Sequence, residues 1–126
     1  MEERMIYFCV SSVTEDAAPL LARRLVEERL AACVNIIPKV RSIYRYDGEI
    51  HDEAESILLF KSAPRTAGGF EERFRELHPY DCPELLMISV DEGLKSYFQW
   101  VASVTGAETH EPNPSQKPVP KDGEGP

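Results

Sequence analysis

Residues 33–61 have the sequence CVNIIPKVRSIYRYDGEIHDEAESILLFK, and this stretch predicts a long β-hairpin. The first strand is expected to run from Cys33 to Tyr46, and Pro38 inside it predicts an edge position or a bulge. Asp47-Gly48 is typical of a two-residue hairpin turn, and the return strand ends in ILLFK at residues 57–61. The apolar residues of the first strand share one parity, so we expect a single face to carry Val34, Ile36, Val40, Tyr44 and Tyr46.

Strand and helix patterns flank the hairpin on both sides. Before it, MIYFCV at residues 5–10 predicts a buried strand, and residues 14–31 predict a helix whose first residue is an N-cap threonine. After it, residues 66–77 predict a helix, residues 85–90 a fourth strand, and residues 97–104 a short closing helix. The order β-α-β-β-α-β-α predicts an α+β fold, a ferredoxin-like β-α-β-β-α-β sandwich with an extra C-terminal helix.

The composition changes near Gly106. Residues 106–126 contain half of the chain's ten prolines and three of its seven glycines, with few apolar side chains. Such a stretch buries too little apolar surface to offset its ordering entropy. We therefore predict one folded domain over residues 1–105 and a disordered, Pro/Gly-rich acidic tail over residues 106–126.

The net charge and the hydropathy of the sequence indicate which kinds of partner the protein is not expected to bind. The 126 residues carry a formal net charge of -8, which disfavours electrostatic binding to nucleic acid or to anionic membranes. No apolar run approaches the ~20 residues of a membrane-spanning helix. Two acids near the N-terminus stand where a secretory signal carries basic residues, so we expect a cytoplasmic protein.

The sequence holds few of the motifs that carry known chemistry. The three cysteines, Cys9, Cys33 and Cys82, form no CxxC pair, which argues against a zinc knuckle and against a thioredoxin-type site. In a cytoplasmic protein these thiols are expected to be reduced, and each is first interpreted as a small buried hydrophobe. There is no phosphate-binding glycine loop and no GxSxG motif, so we assign no catalytic residue and do not expect an enzyme.

Both faces of the predicted sheet are apolar. Residues 5–10, 57–60 and 85–88 are apolar at both parities, whereas a strand with one wet face alternates apolar and polar residues. The closing helix is too short to cover a whole face, so we expect further copies of the chain to supply the cover. The hairpin is also longer than the strand at residues 5–10, which predicts a protruding tip that pairs with a neighbour. A hairpin bent back on its own domain is the alternative.

The densest set of chemically active side chains lies in HPYDCPE, residues 78–84. Imidazole and thiolate are ligands that copper and zinc prefer. From the residues alone, His78 has three interpretations: a cap at the C-terminus of the preceding helix, a metal ligand, or a catalytic group.

Three segments together resemble the CutA divalent-cation-tolerance family: EERLAACVNIIP at residues 27–38, SIYRYDG at residues 42–48, and HPYDCPE at residues 78–84. The similarity runs in order over about residues 5–104. The resemblance implies a ferredoxin-like fold, a homotrimer, a cytoplasmic location and a role in the tolerance of divalent metal ions, copper among them.

The resemblance also implies two metal ligands, a cysteine on the first strand and a histidine in the HPY segment. In this sequence those positions are Cys9 and His78. Leu77 stands where some members have a second histidine, and Cys82 is a candidate replacement for that ligand. The expected cofactor is therefore a divalent metal ion, with copper as the candidate.

A second hypothesis follows from the same resemblance. CutA-like trimers resemble the PII signalling proteins in architecture, which indicates a trimeric signalling or scaffold module that acts through protein partners or a small ligand. Under this hypothesis Cys9 and His78 are core and capping residues. The fold alone does not decide between the two hypotheses, because one fold hosts many functions.

Overall fold

The computed structural model describes residues 5–64 and 68–106. The N-terminal residues 1–4 and the start of the helix predicted over 66–77 lie outside the described residues. So does the predicted tail, apart from Gly106, and the division into a domain over 1–105 and a tail over 106–126 stays a prediction.

Seven elements follow one another in the predicted order β-α-β-β-α-β-α. They are β1 (Ile6–Val13), α1 (Ala18–Glu27), β2 (Cys33–Tyr46), β3 (Glu49–Ser62), α2 (Phe70–Leu77), β4 (Leu86–Val90) and α3 (Lys95–Ser103). Within the described part of the chain, no helix has the length and hydropathy needed to cross a bilayer.

The four strands form one antiparallel sheet in the order β2-β3-β1-β4. β1 lies in the centre, where Cys9 is paired with Phe60 of β3 and with Met87 of β4. The strand that comes first in the chain is thus flanked by the third and the fourth, as in a split βαβ arrangement. The predicted α+β class and its ferredoxin-like strand order are confirmed.

One face of the sheet packs against α1 and α2. Its core contains Phe60 of β3 together with Phe70 and Phe74 of α2, all 1% exposed or less. The three rings lie 6.0 to 6.3 Å apart between centroids, a spacing typical of packed aromatic pairs. Leu25 of α1 closes the same core from the other helix.

The opposite face of the sheet, called the open face below, is covered at one end only. There α3 packs Phe98 and Val101 against Ile6 of β1, and the predicted closing helix is confirmed. Farther along, Leu86 is 53% exposed and Ile88 is 50% exposed. The chain alone therefore leaves an apolar surface on this face, as the doubly apolar strands predicted.

β2 contains the irregularity that its proline predicted. The register with β3 shifts between Ile37 and Val40, because β2 has one extra residue there, and Lys39 has a φ of +61°. β2 is also an edge strand, and Pro38 lies inside the bulge, where its missing N–H breaks no ladder hydrogen bond. An edge position and a bulge are thus both present.

Because of the bulge, the apolar residues of β2 do not share one face as predicted. Val34 is paired with Phe60 and faces the helices, whereas Tyr44 is paired with His51, which has the opposite parity in β3. Alternate residues of a strand point to opposite sides of a sheet, so Tyr44 lies on the open-face side. The prediction of a single apolar face on β2 is wrong, since Val34 and Ile36 lie on one face and Val40, Tyr44 and Tyr46 on the other.

The hairpin extends beyond the rest of the sheet. Pairing of β1 with β3 ends at Val13 and Ser56, so residues 49–55 pair with β2 alone and reach roughly 20 Å farther. Asp47 and Gly48 both have positive φ, +55° and +83°, as a two-residue primed turn requires. The predicted turn and the extension of the hairpin past the sheet are confirmed, whereas pairing of the tip with a neighbouring chain stays a prediction.

The ends of α1 differ from the prediction. The helix begins at Ala18 and not at Thr14, because the Thr14 carbonyl accepts the N–H groups of Ala17 and Ala18 in a separate turn. It ends at Glu27 and not near Ala31, because Arg29 takes a φ of +64° and the next N–H, of Leu30, donates back to the Leu25 carbonyl. This is a Schellman ending with arginine in the place usually held by glycine.

A charged network joins α1 to α2. Arg73 donates two hydrogen bonds of 2.7 Å to the Glu28 carboxylate, which also accepts one of 2.6 Å from Arg24. A third donor of Arg73 reaches Glu76 at 2.8 Å. The hydrogen bonds from Arg73 and Arg24 lower the pKa of Glu28 to about 2.

We expect Glu28→Gln to lower the free energy of unfolding by about 1 kcal/mol near neutral pH, since the pair is only partly buried. The pKa of Glu28 is lowered in the folded state, so its contribution is present above the ordinary pKa of 4.5 and is lost as pH falls towards about 2. Urea denaturation at about pH 7 and about pH 3 measures this. A deficit of equal size at both pH values would contradict the assignment. Glu27→Gln, with its Arg23 partner at 3.8 Å on the surface, is the matched control.

Candidate functional site

Cys9 is placed in the middle of the core by the central strand. Its side chain faces the helices, 0% exposed, in the same cluster as Phe60 and Phe74. Burial raises the pKa of the Cys9 thiol to about 12, so the thiolate that a metal ion requires is disfavoured. In this environment Cys9 behaves as the small buried hydrophobe of the first interpretation.

His78 lies at the C-cap of α2, where its backbone N–H donates to the Phe74 carbonyl. Its Nδ1 accepts the Tyr80 backbone N–H at 3.1 Å, so the ring proton is on Nε2, which donates to the Ser12 carbonyl at 2.9 Å. Burial lowers the pKa of His78 and favours the neutral ring. The side chain thus connects the end of α2 to β1 and does not cap its own helix.

In this arrangement, neither Cys9 nor His78 has a free atom that could bind a metal ion. The Cys9 thiol is protonated and enclosed, and both ring nitrogens of His78 are engaged in hydrogen bonds. Over residues 5–64 and 68–106, no group of three or more His, Cys, Asp or Glu side chains is arranged to share one metal ion. The ligand roles of Cys9 and His78 therefore stay predictions, and they require a local rearrangement.

The other two cysteines depart from the first interpretation. Cys82 is exposed, and Cys33 is only half-buried, with its sulfur 3.9 Å from the Tyr97 hydroxyl. Exposure leaves the thiol of Cys82 accessible from solvent, but no described contact joins it to His78. Of the three cysteines, Cys9 alone is buried as that interpretation expects.

Tyr80 connects the HPYDCPE segment to the base of the hairpin. Its hydroxyl donates to a Glu55 carboxylate oxygen at 2.5 Å, and Glu55 is only 5% exposed. Burial, and then the neighbouring Glu55 carboxylate, raise the pKa of Tyr80, so the phenol stays protonated and keeps donating. The sequence does not predict this pair: Tyr80 lies in the HPYDCPE segment, but no local pattern indicates that Glu55 is buried.

A cavity of about 580 Å³ opens beside this hydrogen bond, between the hairpin and residues 80–84. We call it the hairpin cavity. Three kinds of side chain dominate its wall: hydroxyls of β1, β2 and the β1–α1 turn, phenol rings, and carboxylates. The phenol rings are those of Tyr44, Tyr46 and Tyr80, and the carboxylates are those of Glu53, Glu55, Asp81 and Glu84. Ser12 donates to Glu84 at 3.0 Å on one side of the cavity.

Comparison with protein families gives one match over nearly all of the described chain. Residues 5–104 match the family described as "CutA1 divalent ion tolerance protein". The "Divalent-cation tolerance protein CutA" of Thermus thermophilus is 41% identical over 106 residues, which cover 84% of this chain and all of that protein. The human "Protein CutA" is 38% identical over 96 residues, 76% of this chain, but the match spans only 54% of the human protein.

Solved structures agree with the sequence comparison. The Thermus thermophilus divalent cation tolerance protein superposes with a TM-score of 0.74 at 40% identity and covers 80% of this chain and 99% of its own. A Nostoc protein described as "PII-like protein CutA", in apo form, gives a TM-score of 0.71 at 37% identity, with 82% of this chain and 97% of its own covered.

We expect Tyr80→Phe to destabilise the fold by about 1–3 kcal/mol, because the buried Glu55 carboxylate loses its hydrogen-bond donor. Chemical denaturation of the variant and the parent measures the difference. Tyr46→Phe is the matched control, since Tyr46 lines the same cavity but is 49% exposed. Equal stability of the two variants would show that the Tyr80–Glu55 contact contributes nothing.

Proposed function

This chain belongs to the CutA1 divalent ion tolerance family, and from this we propose that it acts in divalent-cation tolerance as a binding protein whose ligand is a divalent metal ion, copper being the candidate. The observation that carries the proposal is the family match, which extends over residues 5–104. A cytoplasmic location stays a prediction.

The proposed ligands are Cys9 and His78. For His78 to bind a metal ion through Nδ1, the Tyr80 N–H must be displaced; for binding through Nε2, the proton donated to Ser12 must move. For Cys9, the buried thiol must lose its proton. Metal binding therefore competes with the hydrogen bonds that hold residues 78–80 in place.

Protons compete with the metal ion for the same side chains, so the copper affinity is expected to depend on pH. The pKa of Cys9 is raised to about 12, so a bound copper ion displaces one proton at any pH below that value. The pKa of His78 is lowered, so near neutral pH the ring is already neutral and releases no proton. Copper affinity is therefore expected to rise about tenfold for each pH unit.

We expect calorimetric titration of copper into the reduced full chain to show saturable binding that weakens at least about tenfold in Cys9→Ser and in His78→Gln. Cys82→Ser is the matched control, because it removes an exposed thiol that the proposal does not use. Thermal denaturation of each variant establishes that it is folded. Copper binding unchanged in both variants, or lost only in Cys82→Ser, would overturn the assignment of Cys9 and His78.

We further propose that the chain assembles as a homotrimer. The exposed apolar side chains of the open face, Leu86 and Ile88 among them, support this, because apolar patches of this kind mark interaction surfaces. The projecting hairpin supports it as well, since residues 49–55 have a neighbour on one side only among the described strands.

We expect Ile88→Asp and Tyr44→Asp each to reduce the mass in solution from three chains towards one, because a charge would be buried in the interface. Light scattering measures the mass, and circular dichroism shows whether the chain is folded. Leu20→Asp is the control, because Leu20 is 69% exposed on α1, away from the open face. A folded Ile88→Asp variant that keeps the mass of the parent would show that the open face is not the interface.

A second candidate function is a trimeric signalling or scaffold module that acts through a protein partner or a small ligand. The hairpin cavity favours it, because a concave site with a few convergent polar groups is typical of ligand binding. The Nostoc relative that superposes on this chain is described as PII-like. The two candidates differ in one observable, since this one requires a ligand or partner that is retained in the absence of metal.

A further inference from the structure

The hairpin cavity has an unbalanced charge. Four carboxylates contribute to its wall, and no lysine, arginine or histidine among the described residues lines it. Three of these acids, Glu53, Asp81 and Glu84, are exposed to solvent, whereas Glu55 is not. Carboxylates that converge on one cavity without a basic side chain create a negative potential there, which attracts a cation.

Glu55 differs from the other three acids because it is buried. It is 5% exposed, and one of its carboxylate oxygens accepts the Tyr80 hydroxyl. The other oxygen has no hydrogen-bond partner, and no basic side chain forms an ion pair with Glu55, within residues 5–64 and 68–106. That oxygen is not among the fully buried, unpaired atoms of the described residues, so it is open to the cavity, where a cation could pair with the carboxylate.

The size and the wall of the cavity indicate which cation fits. The carboxylates are too widely spaced to share one metal ion, since no group of three acids, thiols or imidazoles among the described residues is arranged to do so. A volume of about 580 Å³ is also far larger than one ion needs and lies in the range of small-molecule sites. A molecule with ammonium groups on an apolar stem can reach several carboxylates at once.

The tyrosines supply the complementary surface for such a stem. Tyr44 stacks on His51 with ring centroids 5.1 Å apart and planes 12° apart, which holds its ring in place. Tyr80 is held by its hydrogen bond to Glu55. Phenol faces attract organic ammonium groups through cation–π interactions, and they cover methylene groups as well.

We propose that the hairpin cavity is a binding site for an organic polyamine, a cation with two or more amino groups on an aliphatic chain. Its ammonium groups would pair with Glu55 and Glu84, and its stem would lie against Tyr44. The inference rests on the second candidate function, a ligand-binding module, for which it names the ligand class. It does not depend on the metal contact, because neither Cys9 nor His78 lines the cavity.

The test is calorimetric titration of spermidine into the full chain in its native assembly, at about physiological salt, where screening weakens unspecific surface binding. We expect saturable binding of spermidine. An uncharged diol of similar length, 1,8-octanediol, is the ligand control, and we expect it not to bind. Equal heats and affinity for both would show that apolar contact alone is measured, which would overturn the proposal.

Two variants locate the binding. Glu55→Gln removes a charge but keeps an acceptor for Tyr80, and Glu84→Gln removes an exposed charge with little risk to the fold. Each is expected to weaken spermidine binding about tenfold or more, as for loss of one charge-assisted hydrogen bond. Glu27→Gln makes the same change of charge on the exposed side of α1, and we expect less than about a twofold effect.

The outcomes separate this inference from the proposed metal function. Equal weakening of spermidine binding by Glu27→Gln and Glu84→Gln would show that only the net charge of the protein attracts the ligand, which would overturn the proposal. Absence of saturable spermidine binding to the folded parent would overturn it as well. Copper titrated into the same samples is an independent readout. His78→Gln is expected to lose copper and keep spermidine, whereas Glu84→Gln is expected to do the reverse.

Discussion

One extra residue in β2 determines which side chains the hairpin presents on each side of the sheet. Before the bulge at Pro38 and Lys39, Val34 and Ile36 of β2 face the helices, and Val34 packs against the core. After it, the same parity in the sequence faces the opposite side, which brings Tyr44 and its cross-strand partner His51 to the side of the hairpin cavity. Without the bulge, the aromatic surface of the hairpin would lie on the helix side, since alternate residues of a strand point to opposite faces.

A loop, a helix end and the hairpin are joined by hydrogen bonds close to the bulge. Glu55 is paired with Val40, the first residue of β2 after the irregularity, and it is there that Tyr80 reaches its carboxylate. Tyr80 in turn donates its backbone N–H to His78, whose ring proton goes to the Ser12 carbonyl of β1. These bonds hold residues 78–80 against the sheet, and they occupy the two nitrogens that a metal ion would need. The structural role of His78 and its proposed role as a metal ligand therefore require the same two nitrogen atoms.

The open face and the acidic cavity point to different kinds of interaction. Leu86 and Ile88 form an apolar surface, which is suited to contact with other copies of the chain. The hairpin cavity is lined instead by carboxylates and phenol rings, which suit a cationic ligand. Assembly and ligand binding are thus proposed for surfaces that share Tyr44, and substitutions at Ile88 or at Glu84 change one of them without altering the helix-packed core.

The sequence by itself determined what local patterns encode. The element order, the Asp47-Gly48 turn and the irregularity at Pro38 follow from periodicity and from backbone preferences of single residues, and the structure bears them out. Only the tertiary structure decided on which face Tyr44 lies, that both nitrogens of His78 are occupied, and that Glu55 is buried beside a cavity. The physical reason is distance along the chain: the bond from His78 to Ser12 spans 66 residues and that from Tyr80 to Glu55 spans 25, and neither leaves a trace in local periodicity.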